Sequence, residues 1–395
     1  MHVPLLVRVK SRLLDLRHRA IALVFFCLLS LPLVLFDRPQ LFSRHAVESS
    51  DSTPFPGFSL FWLQRLGVWF DGRYGLRDVL TSGGRQLQVR LLGPRWMNPA
   101  VVVGRDGWLF FDDGRHSTDL LFADLRGYAP FAPDELNSII ANLRGLASAL
   151  ASCGKRVLVV MVPDKQTIYP DFLPFTLASE RQTRADQVNR ALSHLAPNFA
   201  YIDLRSALKQ ARVAAPWLLY KKTDTHWNSL GAFFGYRSIR EQLVHDATLG
   251  PSANSSLDAY KISEYPLKGG DIATNMLGLA NEYSDVAVLL EPKRGRIARE
   301  TRSDTSSSET SVYLVRTFTS ANAGPRTLVY GDSFSLELFP FLAQDFAAVR
   351  FVVKPQTIDL AEVARFKADL VIIEVVERYL PTLRRPVSNL SAACR

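Results

Sequence analysis

A series of short, unbroken apolar runs alternating with segments of helical spacing constrains the fold of this chain more than any other feature. The clearest is VLVVMV at 157–162. With no polar residue on either side of its pleat, such a strand needs cover on both faces, the condition of a strand inside a parallel sheet. The amphipathic stretch 133–151 leads into it, and the alternation continues with a helix over 181–195, a strand over 199–203 and a helix over 229–244 capped by Asn228. Strands follow at 327–330, 348–353 and 369–374, with helices at 336–342 and 361–367. This order predicts an α/β fold with a central, mostly parallel sheet and helices on both faces. VVVGRDGWLFF from Val101 predicts a hairpin. The polar, Ser/Thr-rich segment 294–311 is expected to be a mobile loop.

An apolar content of 47% against 22% charged residues suits a chain with ample core and excludes wholesale disorder. The net charge of +9 is partly local: Arg8, Lys10, Arg12, Arg17 and Arg19 face only Asp15. The remainder suits an anionic membrane surface or an acidic polymer. Nucleic acid is set aside, because there is no basic run, zinc pattern or aromatic RNP-like strand. Residues 20–36, AIALVFFCLLSLPLVLF, carry no charge, and about 17 helical residues reach about 25 Å. They read as an uncleaved transmembrane signal anchor, since Asp37, Arg38 and Pro39 follow instead of a small-residue cleavage site. The positive-inside rule then makes 1–19 a cytoplasmic tail and places the rest outside. Residues 37–57 read as a linker and 58–98 as a membrane-proximal helical segment, in which Phe61, Leu66 and Trp69 share a face; 99–395 form the working domain. Cys27 lies in the apolar run. Cys153 and Cys394 give no disulfide framework and are expected to be free thiols, with one bridge between them as the alternative.

Chemistry concentrates in two strings. LVYGDSFSL, 328–336, ends an apolar strand in Gly331, Asp332 and Ser333 just before a helical pattern. A serine there stands at the carboxyl end of the sheet, near helical N–H groups suited to an oxyanion. Its hydroxyl needs a base. Of the seven histidines, His18 lies in the tail, His45 in the linker, and His194 and His245 near helix ends. His226, in KKTDTHWNSLGAFF, lies in a polar loop before a helix, two residues from Asp224, which can hold one ring nitrogen while the other takes a proton. Weaker candidates for oxyanion or substrate contact are Gly270 and Asn275 in GGDIATNMLGL, Lys165 beside Asp164 after one strand, and Glu374, Glu377 and Arg378 at the end of another. Neither an H-E-x-x-H string nor a Walker-type loop is present, so no metal or nucleotide cofactor is expected.

GDSFS and TDTHW, together with VVGRDGWLFF, VPDKQTIYP and VIIEVVERYL, resemble the alginate O-acetyltransferase AlgJ/AlgX family over roughly 69–380. The resemblance implies a three-layer SGNH-hydrolase-like domain with Ser333 as nucleophile and Asp224 and His226 completing the triad, in the chain order of that family. It also implies a polysaccharide acceptor, a membrane-bound O-acyltransferase that passes acetyl groups across the bilayer, and a bacterial inner-membrane location with the catalytic domain in the periplasm. AlgX-type members carry a carbohydrate-binding module after the catalytic domain; here the residues after Ser333 are expected to complete the sheet, which is more like AlgJ. Two other readings stand beside transfer: an acetyl esterase, in which water replaces the sugar hydroxyl, and a non-catalytic polysaccharide-binding or assembly protein.

Overall fold

The computed structural model describes residues 77–388 apart from 113–119, 194, 196–197, 251, 295–297, 309–310, 322–323, 354–357 and 386, with side chains of 77–82, 253 and 302–313 left aside. The tail, the anchor at 20–36 and the linker lie outside the described residues. Among the described residues no helix is long and apolar enough to cross a membrane. The chain divides into two units, 1–92 and 93–395. The described part of the first is helix α1, Arg77–Leu92, the end of the predicted membrane-proximal segment.

In the second unit a helical turn, Pro94–Met97, precedes the predicted hairpin, β1 (Val101–Val103) paired antiparallel with β2 (Leu109–Phe111). Then come α2 (Pro133–Ala151), β3 (Arg156–Val162), α3 (Arg184–Leu192), β4 (Phe199–Asp203), α4 (Arg205–Ala214) and α5 (Ser229–His245). Strands β5 (Tyr260–Lys268), β6 (Ser284–Pro292), β7 (Arg299–Ser308), β8 (Ser311–Thr319) and β9 (Arg326–Gly331) follow, and then α6 (Ser335–Leu342), β10 (Ala348–Val353), β11 (Ile358–Asp359), α7 (Leu360–Phe366), β12 (Leu370–Val376) and β13 (Val387–Ser388). The central sheet runs β4-β3-β12-β9-β10-β8-β7. Its first five strands are parallel, and β8 and β7 add an antiparallel edge.

The period of two explains the three layers. On β3, Val157, Val159 and Met161 join one core with Ile139, Leu143 and Leu146 of α2, Val188 of α3 and Val363 of α7. Leu158, Val160 and Val162 join the other, with Leu208 of α4, Phe233 and Ile239 of α5 and Phe339 and Leu342 of α6. Strand β12 divides likewise, with Val371, Ile373 and Val375 on one side and Leu370, Ile372 and Val376 on the other. Each such side chain stabilises the fold by about 1.5–3 kcal/mol on burial, so a polar residue at any of them would be resisted from whichever face it pointed to. The helices start where their side chains allow. Thr183 Oγ1 accepts from Asp186 N at the head of α3, and Asn228 Oδ1 accepts from Leu230 and Gly231 N at the head of α5.

Two expectations need correction. Much of the polar segment 294–311 is strand β7, paired in register with β8 from Arg299↔Thr319 to Ser308↔Ser311, with a bulge at Glu300/Arg302. An edge strand satisfies its backbone by pairing and does not depend on burying side chains; Arg316 Nε also donates to Glu300 Oε1 across the pair at 2.7 Å. Cys153, expected as a free thiol, is disulfide-bonded; Cys394 lies outside the described residues.

Candidate active site

Strand β9 delivers Ser333 to the carboxyl edge of the sheet. The turn is tight because Gly331 has no side chain: a Cβ there would meet Glu374 Oε2 at 2.7 Å and Ser335 Cβ at 2.8 Å. Asp332 then fastens the turn from below. Its Oδ1 accepts from Phe334 N (2.9 Å), its Oδ2 from Val376 N (2.8 Å), and its own N–H donates to Glu374 Oε2 (3.0 Å). Ser333 stays half-buried, and its backbone N–H donates to no acceptor among the described residues, two positions before α6 begins. That leaves one oriented donor beside the hydroxyl.

His226 and Asp224 reach the same point from the loop before α5. His226 Nε2 lies 2.8 Å from Ser333 Oγ, and Nδ1 lies 2.7 Å from Asp224 Oδ1. Asp224 Oδ1 also accepts the His226 backbone N–H at 2.9 Å. Trp227 ties the two strings together, because its Nε1 donates to the Phe334 carbonyl at 3.0 Å while the Phe334 ring stands 4.9 Å from the imidazole. The W of TDTHW thus holds the residue after the serine.

The loop is rigid for reasons that its own sequence does not carry. Asp285 on β6 accepts from Lys222 N (3.0 Å), Thr223 N (2.7 Å) and Thr223 Oγ1 (2.6 Å). Asp271, in the connection from β5 to β6, accepts from Thr225 N and Thr225 Oγ1, each at 2.6 Å, and donates its N–H to Asp224 Oδ2 at 3.0 Å. From the other side Lys165 Nζ donates to the carbonyls of Lys221 (3.1 Å), Lys222 (2.8 Å) and Asp224 (2.6 Å). Three acceptors require three N–H bonds, so the ammonium form serves all of them, although burial pushes this amine down to about 7.

The electrostatics follow. Burial alone would raise the Asp224 carboxyl, but hydrogen bonds from His226 and the nearby Lys221 charge outweigh it and hold the group well below the usual range. Burial alone would lower His226, but the hydrogen bonds and charges of Asp224 and Asp271 outweigh it and raise the imidazole. The Glu374 carboxyl is pushed far up by burial and by the neighbouring Asp332. Among the described residues, Asp224, His226 and Asp271 form one grouping of metal-ligand type. Both ring nitrogens and all four carboxylate oxygens already have hydrogen-bond partners, so the set reads as a hydrogen-bond network.

The weaker candidates fall elsewhere. The Gly270 N–H donates to Thr223 Oγ1 at 2.8 Å and so is not free for an oxyanion; a Cβ at Gly270 would lie 2.5 Å from Asp224 Cβ, which makes it a spacer. Asn275 is exposed on the π-helical turn Ile272–Met276, with no hydrogen bond to the three central residues. Lys165, Glu374 and Glu377 are buried, and Glu377 lines a small cavity with Asp164, Thr167 and Arg378. Glu377 Oε2 accepts from Asp164 N (3.0 Å) and Thr167 Oγ1 (2.6 Å), and burial pushes it up to about 8. Arg378 pairs with Asp164 and lies over the Phe334 ring, 5.2 Å from its centre. Sequence reasoning missed Asp271, Asp285, Thr223 and Thr225. Asp271 stands inside GGDIATNMLGL, the same string that supplied Gly270 and Asn275.

A serine on a strand-to-helix turn thus meets an Asp-x-His-Trp loop at hydrogen-bonding distance. Residues 101–349 match the model described as the SGNH hydrolase-like domain of acetyltransferase AlgX. The chain belongs to the AlgJ/AlgX family. It is similar to the probable alginate O-acetylase AlgJ of Pseudomonas putida, 25% identical over 224 residues, covering 55% of this chain and 51% of that protein. The same protein of Pseudomonas fluorescens is 25% identical over 270 residues, covering 66% and 63%. The chain spans roughly half to two thirds of the length of these AlgJ relatives. Among solved structures, Bacillus cereus PatB1 superposes with a TM-score of 0.52 at 18% identity, covering 71% of this chain and 96% of that one, a likeness of fold. This AlgJ/AlgX member thus has an α/β, SGNH-like architecture around its central, mostly parallel sheet.

Proposed function

We propose that this chain is an O-acetyltransferase of an exported polysaccharide, alginate or a similar polymer, working through an acetyl-Ser333 intermediate. The observation that carries the reading is the line from Ser333 Oγ through both nitrogens of His226 to Asp224, at 2.8 and 2.7 Å, in a chain of this family. The Ser333 Oγ–H proton passes to His226 Nε2 as Oγ bonds the acetyl carbon. Asp224 stabilises the imidazolium, and the Ser333 N–H faces the oxyanion. Nε2 returns the proton to the departing donor group. A sugar hydroxyl then gives its proton to Nε2 as its oxygen attacks the acetyl carbon, and Ser333 Oγ is released as the hydroxyl. No bond in this cycle requires a metal or nucleotide.

The donor is proposed to be a membrane-bound O-acyltransferase. On the strength of the apolar run at 20–36, the protein is proposed to be a single-pass inner-membrane protein with this domain in the periplasm. The half-exposed Ser333 is also open to water, which favours acetyl hydrolysis as a second reading. Intact mass after incubation with an activated acetyl ester tests the first step: the wild-type chain should gain about one acetyl group, and Ser333→Ala none. Adding oligosaccharide then separates the readings. Acetylated sugar supports transfer, whereas acetate alone supports the esterase.

A further inference from the structure

The His226 ring has a second carboxylate neighbour that the proposed cycle leaves without a task. Asp271 Oδ2 lies 3.4 Å from His226 Nδ1, the nitrogen that bonds Asp224. Asp271 also holds both residues that precede the imidazole. Its carboxylate takes the N–H and hydroxyl of Thr225, and its N–H donates to Asp224 Oδ2. It comes from 46 residues beyond Thr225, between β5 and β6, so the position is delivered by the tertiary fold and not by the turn geometry of the loop.

We propose that Asp271 is a positioning residue for the Ser333 chemistry: a second carboxylate on the Nδ1 side of His226 that orients the ring and stabilises the imidazolium formed when Nε2 takes the serine proton. Its catalytic consequence rests on the acyl-enzyme reading; its electrostatic action on His226 can be measured without turnover. An opposite charge within about 4–6 Å favours the charged form of a titrating group. Asp271 stands inside that distance and Asp224 closer still, and together they overcome the burial of the ring. The other charges around it are Lys221 with its partner Glu337, Lys165 beneath the loop, Asp285 on β6, Asp332 below the serine, and Arg378 beyond Phe334. None of them changes in an Asp271 variant.

The test uses the full chain with labelled histidine, following the His226 ring by NMR across pH, its signal assigned by loss in His226→Gln. In parallel, kcat/KM for a chromogenic acetate ester is measured across pH. Asp271→Asn should move the His226 titration and the rising limb of kcat/KM to lower pH by about one unit and lower the plateau about tenfold. In the wild-type chain with labelled aspartate, the backbone-assigned Asp271 carboxyl signal should shift over the same pH range as the His226 ring, 3.4 Å away; this measurement carries the test if Asp271→Asn does not fold. An unmoved titration in Asp271→Asn, or an Asp271 carboxyl signal that does not follow the ring, overturns the proposal. Turnover through Ser333 with no NMR shift defeats the Asp271 inference alone. The NMR shift without any wild-type turnover supports the pairing and defeats the acyl-enzyme reading.

Discussion

Substituting Gly270 by alanine should disable the site while leaving the fold standing. The added carbon would lie 2.5 Å from Asp224 Cβ and 2.9 Å from both its Cα and its N. Non-bonded carbons settle at about 3.5–4.0 Å, so the two residues must part by about 1 Å. Neither yields easily. The Gly270 N–H is held by Thr223 Oγ1, and the Asp224 carbonyl by Lys165. The displacement therefore falls on Asp224's bond to His226 Nδ1, now 2.7 Å, which at about 1 Å longer is no hydrogen bond. A misplacement of this size costs about 10²-fold in rate, and overpacking costs about 1–3 kcal/mol of stability. The assay is kcat/KM on a chromogenic acetate ester with a melting curve, using Ser333→Ala as the floor. Gly145→Ala on α2, where a new Cβ meets nothing within 4 Å, is the neutral control. A folded Gly270→Ala protein that keeps wild-type rates would refute the view that this glycine sets the place of Asp224.

Three further outcomes follow from the same geometry. Lys165→Met leaves three carbonyls without their donor and should cost about 2–5 kcal/mol; a urea midpoint close to wild type would contradict the clamp. Because His226 must be neutral to accept a proton and its pKa is raised, ester turnover should rise with pH along a limb above the ordinary 6.5, and a limb at or below that value would count against both carboxylates. Glu377 titrates near 8 when folded against 4.5 when exposed. The folded state therefore binds the extra proton between these values, and its stabilising protonated form is lost as pH rises through about 8. Stability should decline by about 1.4 kcal/mol per pH unit across that window and then level off. Melting curves of Glu377→Gln, which keeps an acceptor for Asp164 N and Thr167, should lack that share of the decline, and an identical pH profile would exclude it.

Much of this was legible in the sequence, because the strands that lie inside the sheet show it in their composition. Val157–Val162 is covered on both faces and is apolar throughout; Asn228 sits at the head of α5 because its side chain bonds locally. The string GDSF could be placed on a strand-to-helix turn for the same reason, since the elements on both sides carry period signals. What stayed hidden acts across long separations or through the backbone. Asp285 and Asp271 bond main-chain groups 62 and 46 residues away, and a side chain bonded to a distant amide leaves no periodicity. Strand β7 pairs through its backbone at the sheet edge, so its polar composition suggested a loop. Gly270 looked like a donor because glycine amides often are; its use here is the carbon it lacks. Lys165 looked like a charge at the rim of the site, and only the three carbonyls above it show why an amine would be buried there.

The strand order also sets when this site comes into being. Strand β9, which carries Ser333, is flanked by β10 and β12, and both are later in the chain than the serine. Strand β12 is also what joins β9 to the β3–β4 pair. A ribosome that has made everything through Ser333 has therefore produced the histidine loop and its clamps, yet neither strand that will flank the serine's own strand. Such non-local pairing folds slowly. Ser333 Oγ and His226 Nε2 can reach their 2.8 Å separation only after Val376 has emerged and β12 has paired.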